Sequence, residues 1–413
     1  MQNTPKGMRL HIGIFGKRNV GKSNILNALT HQNISIVSEV AGTTTDPVEK
    51  AMELLPLGPV LFVDTAGIDD EGKLGELRIK KTMQIFDRID IALIVSGQTG
   101  WSSFEKELYE EFTKRKIPII AVFNKVDLAA ISDEKLTEVE NLKVAIVHTS
   151  AKTGFGIDNL KQKLIENAPD EFITPPMIAA DLIPSGEMAV LVVPIDLEAP
   201  KGRLILPQVQ IIRDLLDNDS MVMVVKESDL KEALGRLNKP PHIVITDSQA
   251  FLKVSADVPE NIKLTSFSIL FARFKGDLEE FVRGALAIEN LKPNDKILIC
   301  ESCTHHAIGD DIGTIKIPKW LNRYVGGKLE FVHYSGHDFP EDISGYKLII
   351  HCGACMTNRR EILSRIIKSK QAGVPVTNYG LSIAYALDIF GRALEPFPAA
   401  YQLYRELKMQ AKK

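Results

Sequence analysis

The stretch LHIGIFGKRNVGKS, residues 10–23, decides the fold of the N-terminal third of this chain. An apolar run suited to a buried strand, residues 10–15, leads into a glycine-rich turn, and the helical pattern SNILNALTHQ follows. A phosphate-binding loop needs this order, because glycines let backbone N–H groups approach phosphate oxygens and the helix N-terminus adds positive potential. We predict that Lys22 reaches the β- and γ-phosphates and that the Ser23 hydroxyl binds Mg²⁺. The predicted loop contacts come from Gly16, Asn19, Val20, Gly21, Lys22, Ser23 and Asn24.

The loop alone leaves ATP and GTP open, but three later motifs favour guanine. Asp64-Thr-Ala-Gly67 ends an apolar run, which places Asp64 to hold Mg²⁺ through water and the Gly67 amide near the γ-phosphate. Asn124-Lys125-Val-Asp127 ends another apolar run. The Asp127 carboxylate can accept hydrogen bonds from guanine N1–H and N2–H₂, a donor pattern that adenine lacks. The backbone of Ser150-Ala151-Lys152 can complete the base pocket. Together the motifs predict GTP as ligand, with Lys22, Asp64 and Gly67 among the catalytic residues.

Short β-rich runs alternate with amphipathic stretches through the first third of the chain. This rhythm predicts an α/β fold, with a doubly wound, mostly parallel sheet in an N-terminal P-loop domain and two smaller α/β domains after it. We place the domains at residues 1–172, 177–266 and 267–413, with the proline-containing segment FITPP as linker. The predicted strands are LHIGIF, PVLFVD, IDIALIVSG, PIIAVFNK, VAIVHTS, AVLVVPI, MVMVVK, HIVITDS, KILICES and YKLIIHCG.

Composition narrows the class of protein. The 413 residues carry 50 Lys and Arg against 53 Asp and Glu, a formal net charge of −3, which gives no support for a nucleic-acid partner. The start MQNTPKGMRL has no apolar signal core, and no apolar stretch approaches the ~18 residues of a membrane span. We therefore expect a cytoplasmic protein without a membrane partner. In a reducing cytosol, clustered cysteines favour metal or redox chemistry over disulfides.

All four cysteines fall between residues 300 and 355, in the motifs Cys300-Glu-Ser-Cys303-Thr-His305 and His351-Cys352-Gly-Ala-Cys355. Each motif follows a predicted strand, and the carboxyl ends of parallel strands are where α/β sheets present ligand sites. The two Cys-x-x-Cys pairs could hold zinc with four thiolates. Alternatively, Cys303, Cys352 and Cys355 could hold an iron–sulfur cluster, with Cys300 as a buried core residue. The residues alone leave both arrangements open.

The N-terminal motifs resemble those of the TrmE–Era–EngA class of GTPases. Gly42-Thr43-Thr44-Thr45-Asp46 is similar to their first switch, G-T-T-R-D, although Thr45 stands in place of the arginine. The resemblance implies Thr44 as a catalytic Mg²⁺ ligand, with Thr43 as the alternative. It also implies that Asn19 binds a potassium ion; the other interpretation of Asn19 is a turn residue. Ile68 follows the DTAG motif where Ras-like enzymes place glutamine, so we expect slow hydrolysis. The match at Asn19 implies that potassium stimulates it.

The cysteine–histidine motifs, behind a GTPase domain and a middle block without a motif, resemble HydF, the FeFe-hydrogenase maturation GTPase family. The likeness covers the whole chain. It implies a dimerisation domain in the middle block and a 4Fe-4S cluster on Cys303, Cys352 and Cys355. His305 and His351 match the motif histidines and are candidates for the fourth position or for a supporting role beside the ligands. His306, Glu301 and Asp310 are nearby alternatives for that position.

The same resemblance implies a function and partners. HydF proteins are scaffolds or carriers for the di-iron precursor of the hydrogenase active site, and they act with the radical-SAM maturases HydE and HydG. The implied partners of this chain are thus apo FeFe-hydrogenase, HydE, HydG and a second copy of the chain; the implied cofactors are the cluster, GTP or GDP, Mg²⁺, K⁺ and the transient di-iron precursor. Two other classes compete, a tRNA-modifying TrmE-type GTPase and a zinc-stabilised regulatory GTPase.

Overall fold

The computed structural model describes residues 5–30, 48–54, 58–64, 84–173, 176–194, 204–302 and 311–411. The chain divides into two compact units, Met1–Pro175 and Pro176–Lys413. None of the helices in the described ranges is long and apolar enough to cross a lipid bilayer.

The first unit contains a six-stranded sheet in the order β2-β3-β1-β4-β5-β6. Strand β2 runs antiparallel to β3, and all other neighbours are parallel. This arrangement confirms the predicted α/β class and the mostly parallel sheet. The strands are β1 Leu10–Phe15, β2 Val48–Leu54, β3 Gly58–Asp64, β4 Ile91–Ser96, β5 Ile119–Phe123 and β6 Ala145–His148.

Hydrophobic cores form on both faces of this sheet. Alternate residues of each strand point to opposite faces, so Leu10, Ile12 and Ile14 of β1 belong to one core and Phe15 to the other. Phe15 packs with Phe86 and Phe112 at ring-centroid distances of 5.5 and 4.8 Å. The helices are α1 Lys22–Thr30, α2 Ser103–Lys114, α3 Asp133–Glu140, α4 Ile157–Glu166 and α5 Asp170–Ile173.

The second unit contains two four-stranded sheets, in the orders β10-β9-β7-β8 and β12-β11-β13-β14. All neighbouring strands in both sheets are parallel. The strands are β7 Met188–Val192, β8 Met221–Val225, β9 Ile243–Thr246, β10 Lys263–Ser266, β11 Lys296–Glu301, β12 Glu330–Ser335, β13 Leu348–His351 and β14 Val376–Asn378.

Helices surround these two sheets, since parallel strands need crossover connections. The helices are α6 Leu206–Asp217, α7 Leu230–Gly235, α8 Phe251–Asp257, α9 Phe267–Lys275, α10 Leu278–Leu286, α11 Ile317–Val325, α12 Arg359–Ala372, α13 Tyr379–Ala386, α14 Phe390–Leu394 and α15 Pro398–Ala411. A π-helical turn, Ile312–Lys316, leads directly into α11.

The structure adds four strands to those predicted from the sequence: β2, β10, β12 and β14. Each of the four lies at the edge of its sheet. Edge strands are short or partly solvated, and their apolar runs are correspondingly weak; β12, EFVHYS, has no buried residue. The strands predicted from the sequence read as continuous apolar runs, and two of them, β6 and β8, also lie at sheet edges.

Candidate nucleotide and metal sites

The phosphate loop needs glycine at two positions. Gly16 has φ 142° and Gly21 has φ 96°, values that L side chains rarely adopt. A Cβ atom at Gly16 would lie 2.1 Å from the Val95 carbonyl oxygen, and one at Gly21 would lie 2.3 Å from the Asn124 amide nitrogen. The loop therefore sits against the ends of two strands without room for side chains.

Lys22 lies inside this loop. Its side chain is buried, and its Nζ donates to the carbonyl oxygens of Gly16 at 2.5 Å and Lys17 at 2.9 Å. Asn19 has φ 62°, a conformation that asparagine tolerates better than most residues, and its carbonyl accepts from Lys125 Nζ at 2.5 Å. This conformation explains why asparagine stands at this turn. The role of Asn19 in potassium binding stays a prediction.

The two predicted Mg²⁺ residues of the described chain lie together. The Ser23 hydroxyl donates to Asp64 Oδ2 at 3.0 Å, although 40 residues separate their motifs. Asp64 is buried, and this desolvation raises the pKa of its carboxyl above the ordinary value. The predicted switch residues Thr43, Thr44, Gly67 and Ile68 lie outside the described residues.

Asn124 connects the phosphate loop to the base motifs. Its Nδ2 donates to the Val20 carbonyl at 2.9 Å, and its Oδ1 accepts from the Ala151 amide at 3.1 Å. The Ser150 hydroxyl donates to Asp127 Oδ1 at 2.6 Å, which orients the carboxylate predicted to read guanine. The structure thus brings all the described guanine motifs to one edge of the sheet, with Lys152 exposed beside them.

Sequence analysis missed Thr149 in this site. Its side chain is fully buried and its hydroxyl donates to Asn124 Oδ1 at 3.2 Å, so Asn124 is held from both ends. The only available signal was its position next to the Ser150 motif.

A neighbouring glycine, Gly156, has φ 72°, and a Cβ there would lie 1.9 Å from the His148 carbonyl oxygen.

The two cysteine motifs also meet, at the carboxyl ends of the parallel neighbours β11 and β13. Just after β13, the Cys352 amide donates to the Cys300 carbonyl of β11 at 2.9 Å. The Cys352 sulfur accepts from the amide of Ser302 at 3.0 Å and from that of Ala354 at 3.3 Å. Since hydrogen bonds from N–H groups stabilise a thiolate, this environment suits a metal ligand.

A cavity of about 130 Å³ opens beside this sulfur. Its walls come from both sheets of the second unit, so the middle block that carries no motif contributes to the site. Most of the lining is apolar, with a few carboxylates, amides and hydroxyls. The lining residues are Pro194, Ile205, Pro207, Gln208, Asp247, Ser248, Gln249, Phe267, Ser268, Phe271, Glu301, Asp311, Ile312, Cys352, Gly353, Cys355, Tyr379 and Ile383.

Cys300 and His351 lie on the opposite face of the sheet from this cavity. They are register partners on β11 and β13, whereas Glu301 and Cys352, the next residue on each chain segment, line the cavity. Burial raises the pKa of the Cys300 thiol to about 12, although the Arg365 guanidinium opposes the shift. The four-thiolate zinc arrangement would need the Cys300 side chain on the face of the sheet that lines the cavity.

His351 is buried, and this desolvation, with Arg365 nearby, holds the pKa of its imidazole well below the ordinary value. The ring stacks on Phe339 at a centroid distance of 6.2 Å, and the Arg365 guanidinium lies 5.2 Å from the same Phe339 ring. His351 therefore packs behind the cysteine loop, and this position fits a supporting role better than that of a ligand in the cavity.

Two polar groups at the site were not singled out by sequence. Tyr379 donates its hydroxyl to Glu301 Oε1 at 2.7 Å, and both residues line the cavity. Lys275, at the end of α9, is buried and donates to carbonyl oxygens of the segment 354–357. Burial lowers the pKa of Lys275 to about 8, against the opposing effect of the Cys355 and Cys352 thiols.

Cys303, His305, His306 and Asp310 lie outside the described residues. In the described ranges, which include Cys352 and Cys355 but not these four residues, no group of three or more His, Cys, Asp and Glu side chains is arranged to hold a metal ion. The Ser302 amide, one residue before Cys303, nevertheless lies 3.0 Å from the Cys352 sulfur, and Cys352 lines the cavity.

Comparison with known families separates the two units. The hydrogen maturase F dimerization domain matches residues 178–276, and the hydrogen maturase F tetramerization domain matches residues 279–396. Together these two matches cover more than half of the chain. A 50S ribosome-binding GTPase family matches residues 11–125, so the first unit contains a GTPase domain.

Individual relatives match a smaller part. The tRNA modification GTPase MnmE of Chromobacterium violaceum is 37% identical over 158 residues, 38% of this chain and 34% of that protein. GTPase Der of Wolinella succinogenes is 36% identical over 167 residues, 38% of this chain and 35% of that protein. The chain thus spans about a third of the length of these curated relatives. A structure of Aquifex aeolicus Era bound to GDP and AlF4⁻ is 22% identical, with a TM-score of 0.34, and covers 52% of this chain and 93% of that one.

Proposed function

The chain belongs to the hydrogen maturase F family, and we propose that it is a GTP-hydrolysing scaffold that carries a 4Fe-4S cluster and assembles or delivers the di-iron precursor of the FeFe-hydrogenase active site. The observation that carries the cluster proposal is the meeting of both cysteine motifs at one cavity. There the amide next to Cys303 lies 3.0 Å from the Cys352 sulfur, and Cys352 and Cys355 line the wall.

The residues present fit an iron–sulfur cluster. Cys303, Cys352 and Cys355 would hold it, and a cluster with three thiolate ligands supplies one iron with an exchangeable position. Glu301, fixed by Tyr379, and Asp311 bring carboxylates to the same cavity. The apolar remainder of the lining would keep water away from a labile precursor rich in carbon monoxide and cyanide.

Anaerobic reconstitution tests this proposal directly. Protein supplied with iron and sulfide should be brown, with a broad absorption band and close to four irons per chain. A colourless protein that binds zinc instead would contradict the proposal and favour the zinc-stabilised regulatory GTPase. The tRNA-modifying alternative has less support, because the two hydrogen maturase F matches lie outside the GTPase domain.

GTP hydrolysis in this proposal serves as a conformational switch. Lys22, Ser23 and Asp64 would hold the phosphates and Mg²⁺, with Thr44 and Gly67 at the γ-phosphate, and Asn19 would bind potassium. We expect contacts to the γ-phosphate to govern the docking of HydE, HydG and apo hydrogenase. The segments expected to make these contacts, 38–46 and 67–82, lie outside the described residues. Because Ile68 cannot orient the attacking water, hydrolysis should be slow.

A Lys22→Ala variant tests this separation of roles. It should keep the full iron content of the wild type but lose the effect of GTP on partner association, measured by surface plasmon resonance with and without nucleotide. Loss of the cluster in this variant would refute the separation, since Lys22 belongs to the nucleotide site alone.

We also propose a homodimer formed through the first sheet of the second unit. Strand β8 lies at the edge of this sheet, and its Met221 and Val224 side chains are exposed. An exposed apolar edge strand is a template for pairing with a second chain. A Val224→Lys variant should elute as a smaller species in size-exclusion chromatography with light scattering. An unchanged molar mass would argue against this edge as the interface.

A further inference from the structure

Helix α9 ends at a lysine whose environment is unusual. Lys275 is only 2% exposed, yet its Nζ has hydrogen-bonding partners for every N–H it carries. It donates to the carbonyl oxygens of Ala354 at 2.6 Å, Thr357 at 2.8 Å and, more weakly, Cys355 at 3.5 Å. All three acceptors belong to the turn that carries Cys355 and follows Cys352.

The contact between α9 and this turn is reciprocal. Arg359, the first residue of α12, donates from Nη1 to the carbonyl of Phe274 at 2.6 Å, next to Lys275. The last turn of a helix leaves carbonyl groups without intrahelical partners, so Arg359 satisfies one of them. The segment 354–359 is thus tied to the end of α9 by one cation from each side.

The turn needs such support because its backbone is strained. Ala354 has φ 53°, a left-handed conformation that is unfavourable for alanine because its Cβ approaches the backbone. In this conformation the Ala354 amide donates to the Cys352 sulfur at 3.3 Å while its carbonyl accepts from Lys275. Lys275 therefore stabilises the conformation that directs an N–H group at a predicted ligand.

The ammonium group is also a buried charge. Removing a cation from water is unfavourable unless anions or oriented dipoles compensate its charge. The groups that compensate it electrostatically are the Cys355 and Cys352 sulfurs and the Glu361 carboxylate, and its Nζ lies 5.9 Å from the centre of the Phe271 ring, which lines the cavity. The sulfurs proposed to bind iron are thus among the groups that act on this charge.

We propose that Lys275 is a positioning residue for the metal site, one that clamps the Cys352–Cys355 turn and supplies a fixed positive charge beneath its thiolates. Lys275 lies within the match to the dimerization domain, whereas both cysteines lie within the match to the tetramerization domain. The segment that matches the dimerization domain therefore supplies a group that governs how firmly the cluster is held and how easily it is reduced. This inference rests on the proposed cluster site.

The test uses the full chain, reconstituted with iron and sulfide under anaerobic conditions, as wild type, Lys275→Met and Lys275→Gln. Met matches the length of lysine without charge or donors, and Gln keeps an N–H donor without charge. Lys370→Met is the control. Lys370 lies near the C-terminal end of α12, away from the cysteine turn, and it forms surface ion pairs with Asp277 and Glu280. The measurements are the rate of iron loss to a chelator, the midpoint potential of the cluster and the GTPase rate.

We expect Lys275→Met to lose iron about 10- to 100-fold faster, the usual consequence of removing a group that orients metal ligands. Its midpoint potential should fall by about 59 mV, because the reduced cluster loses a stabilising charge. For a one-electron couple this fall is a tenfold change in the equilibrium constant for reduction. Lys275→Gln should show the same fall in potential with slower iron loss than Lys275→Met. The control and the GTPase rates should match the wild type.

A folded Lys275→Met with wild-type iron loss and potential overturns the inference. If Lys275→Met does not fold, Lys275→Gln, which keeps a hydrogen-bond donor, is the variant that tests the inference. An unchanged midpoint potential in Lys275→Gln overturns the inference as well. A wild-type protein that takes up no cluster refutes the proposed function instead, so the two failures are distinguishable before any variant is measured.

Discussion

The nucleotide site and the cysteine site are built on the same architectural rule but differ in how their parts are held. In both, motifs from distant parts of the chain meet at the carboxyl ends of parallel strands. At the nucleotide site, motif residues bond mainly to one another, as Ser23 does to Asp64 and Asn124 does to Ala151. At the cysteine site, Lys275, Arg359 and Tyr379, which belong to no motif, hold the motif residues or the cavity wall.

This difference teaches where sequence motifs are informative. A nucleotide presents the same phosphates and base to every protein of its class, so the contacting residues form a short and repeated pattern. A metal cluster is bound by a few thiolates, and the groups that orient them can come from any element that packs nearby. The first kind of site can therefore be read residue by residue, and the second only in outline.

The largest expected effect comes from the cysteines themselves. Cys355→Ala should abolish cluster binding after anaerobic reconstitution, because a thiolate that lines the cavity is lost. Cys300→Ala should retain it, because Cys300 faces the other side of the sheet. Iron content and absorption spectra measure both variants. Equal loss of iron in the two variants would show that all four cysteines bind the metal and would favour the four-thiolate arrangement.

At the nucleotide site, Asp127→Asn should weaken GTP binding by about 100-fold or more, because guanine N1–H and N2–H₂ would lose their acceptor. Titration of a fluorescent GTP analogue measures the loss, and the same protein should reconstitute its cluster normally. A fall in iron content in this variant would show that the two sites are not independent.

Two glycines near the base pocket test the packing of the nucleotide site through the stability of the first unit. Gly156→Ala should destabilise the first unit by about 3 kcal/mol, since it combines a left-handed backbone with a clash against the His148 carbonyl. Gly154→Ala is the matched control: its φ is 82°, but no atom lies within 4 Å of the added Cβ, so it should cost only about 1 kcal/mol. Denaturant unfolding of the two variants gives the difference, and equal values would contradict the clash.

The smallest expected effect concerns the monovalent cation. GTP hydrolysis should be faster in potassium than in sodium at equal ionic strength, because a cation bound at Asn19 would neutralise charge that develops on the phosphates. The Asn19→Ala variant should lose this preference. Equal rates of the wild type in both salts would remove the potassium site and leave Asn19 as a turn residue, the role that its φ of 62° already explains.

The sequence by itself determined the central strands, the α/β class and the identity of the guanine motifs. Buried parallel strands read as continuous apolar runs, and phosphate and guanine impose glycines, lysine and carboxylate at set spacings. The position of both cysteine motifs at the carboxyl ends of strands also follows from the sequence, because both motifs follow such runs.

Only the tertiary structure decided the rest. The edge strands β2, β10, β12 and β14 gain their β-structure from a neighbour and carry weak patterns of their own. The strand register alone puts Cys300 and His351 on one face and Glu301 and Cys352 at the cavity. Lys275 lies about 80 positions before the turn that it holds, and a helical lysine has no local signal for burial. Its role depends on which helix packs against the cysteine loop, and the packing of a whole unit determines that.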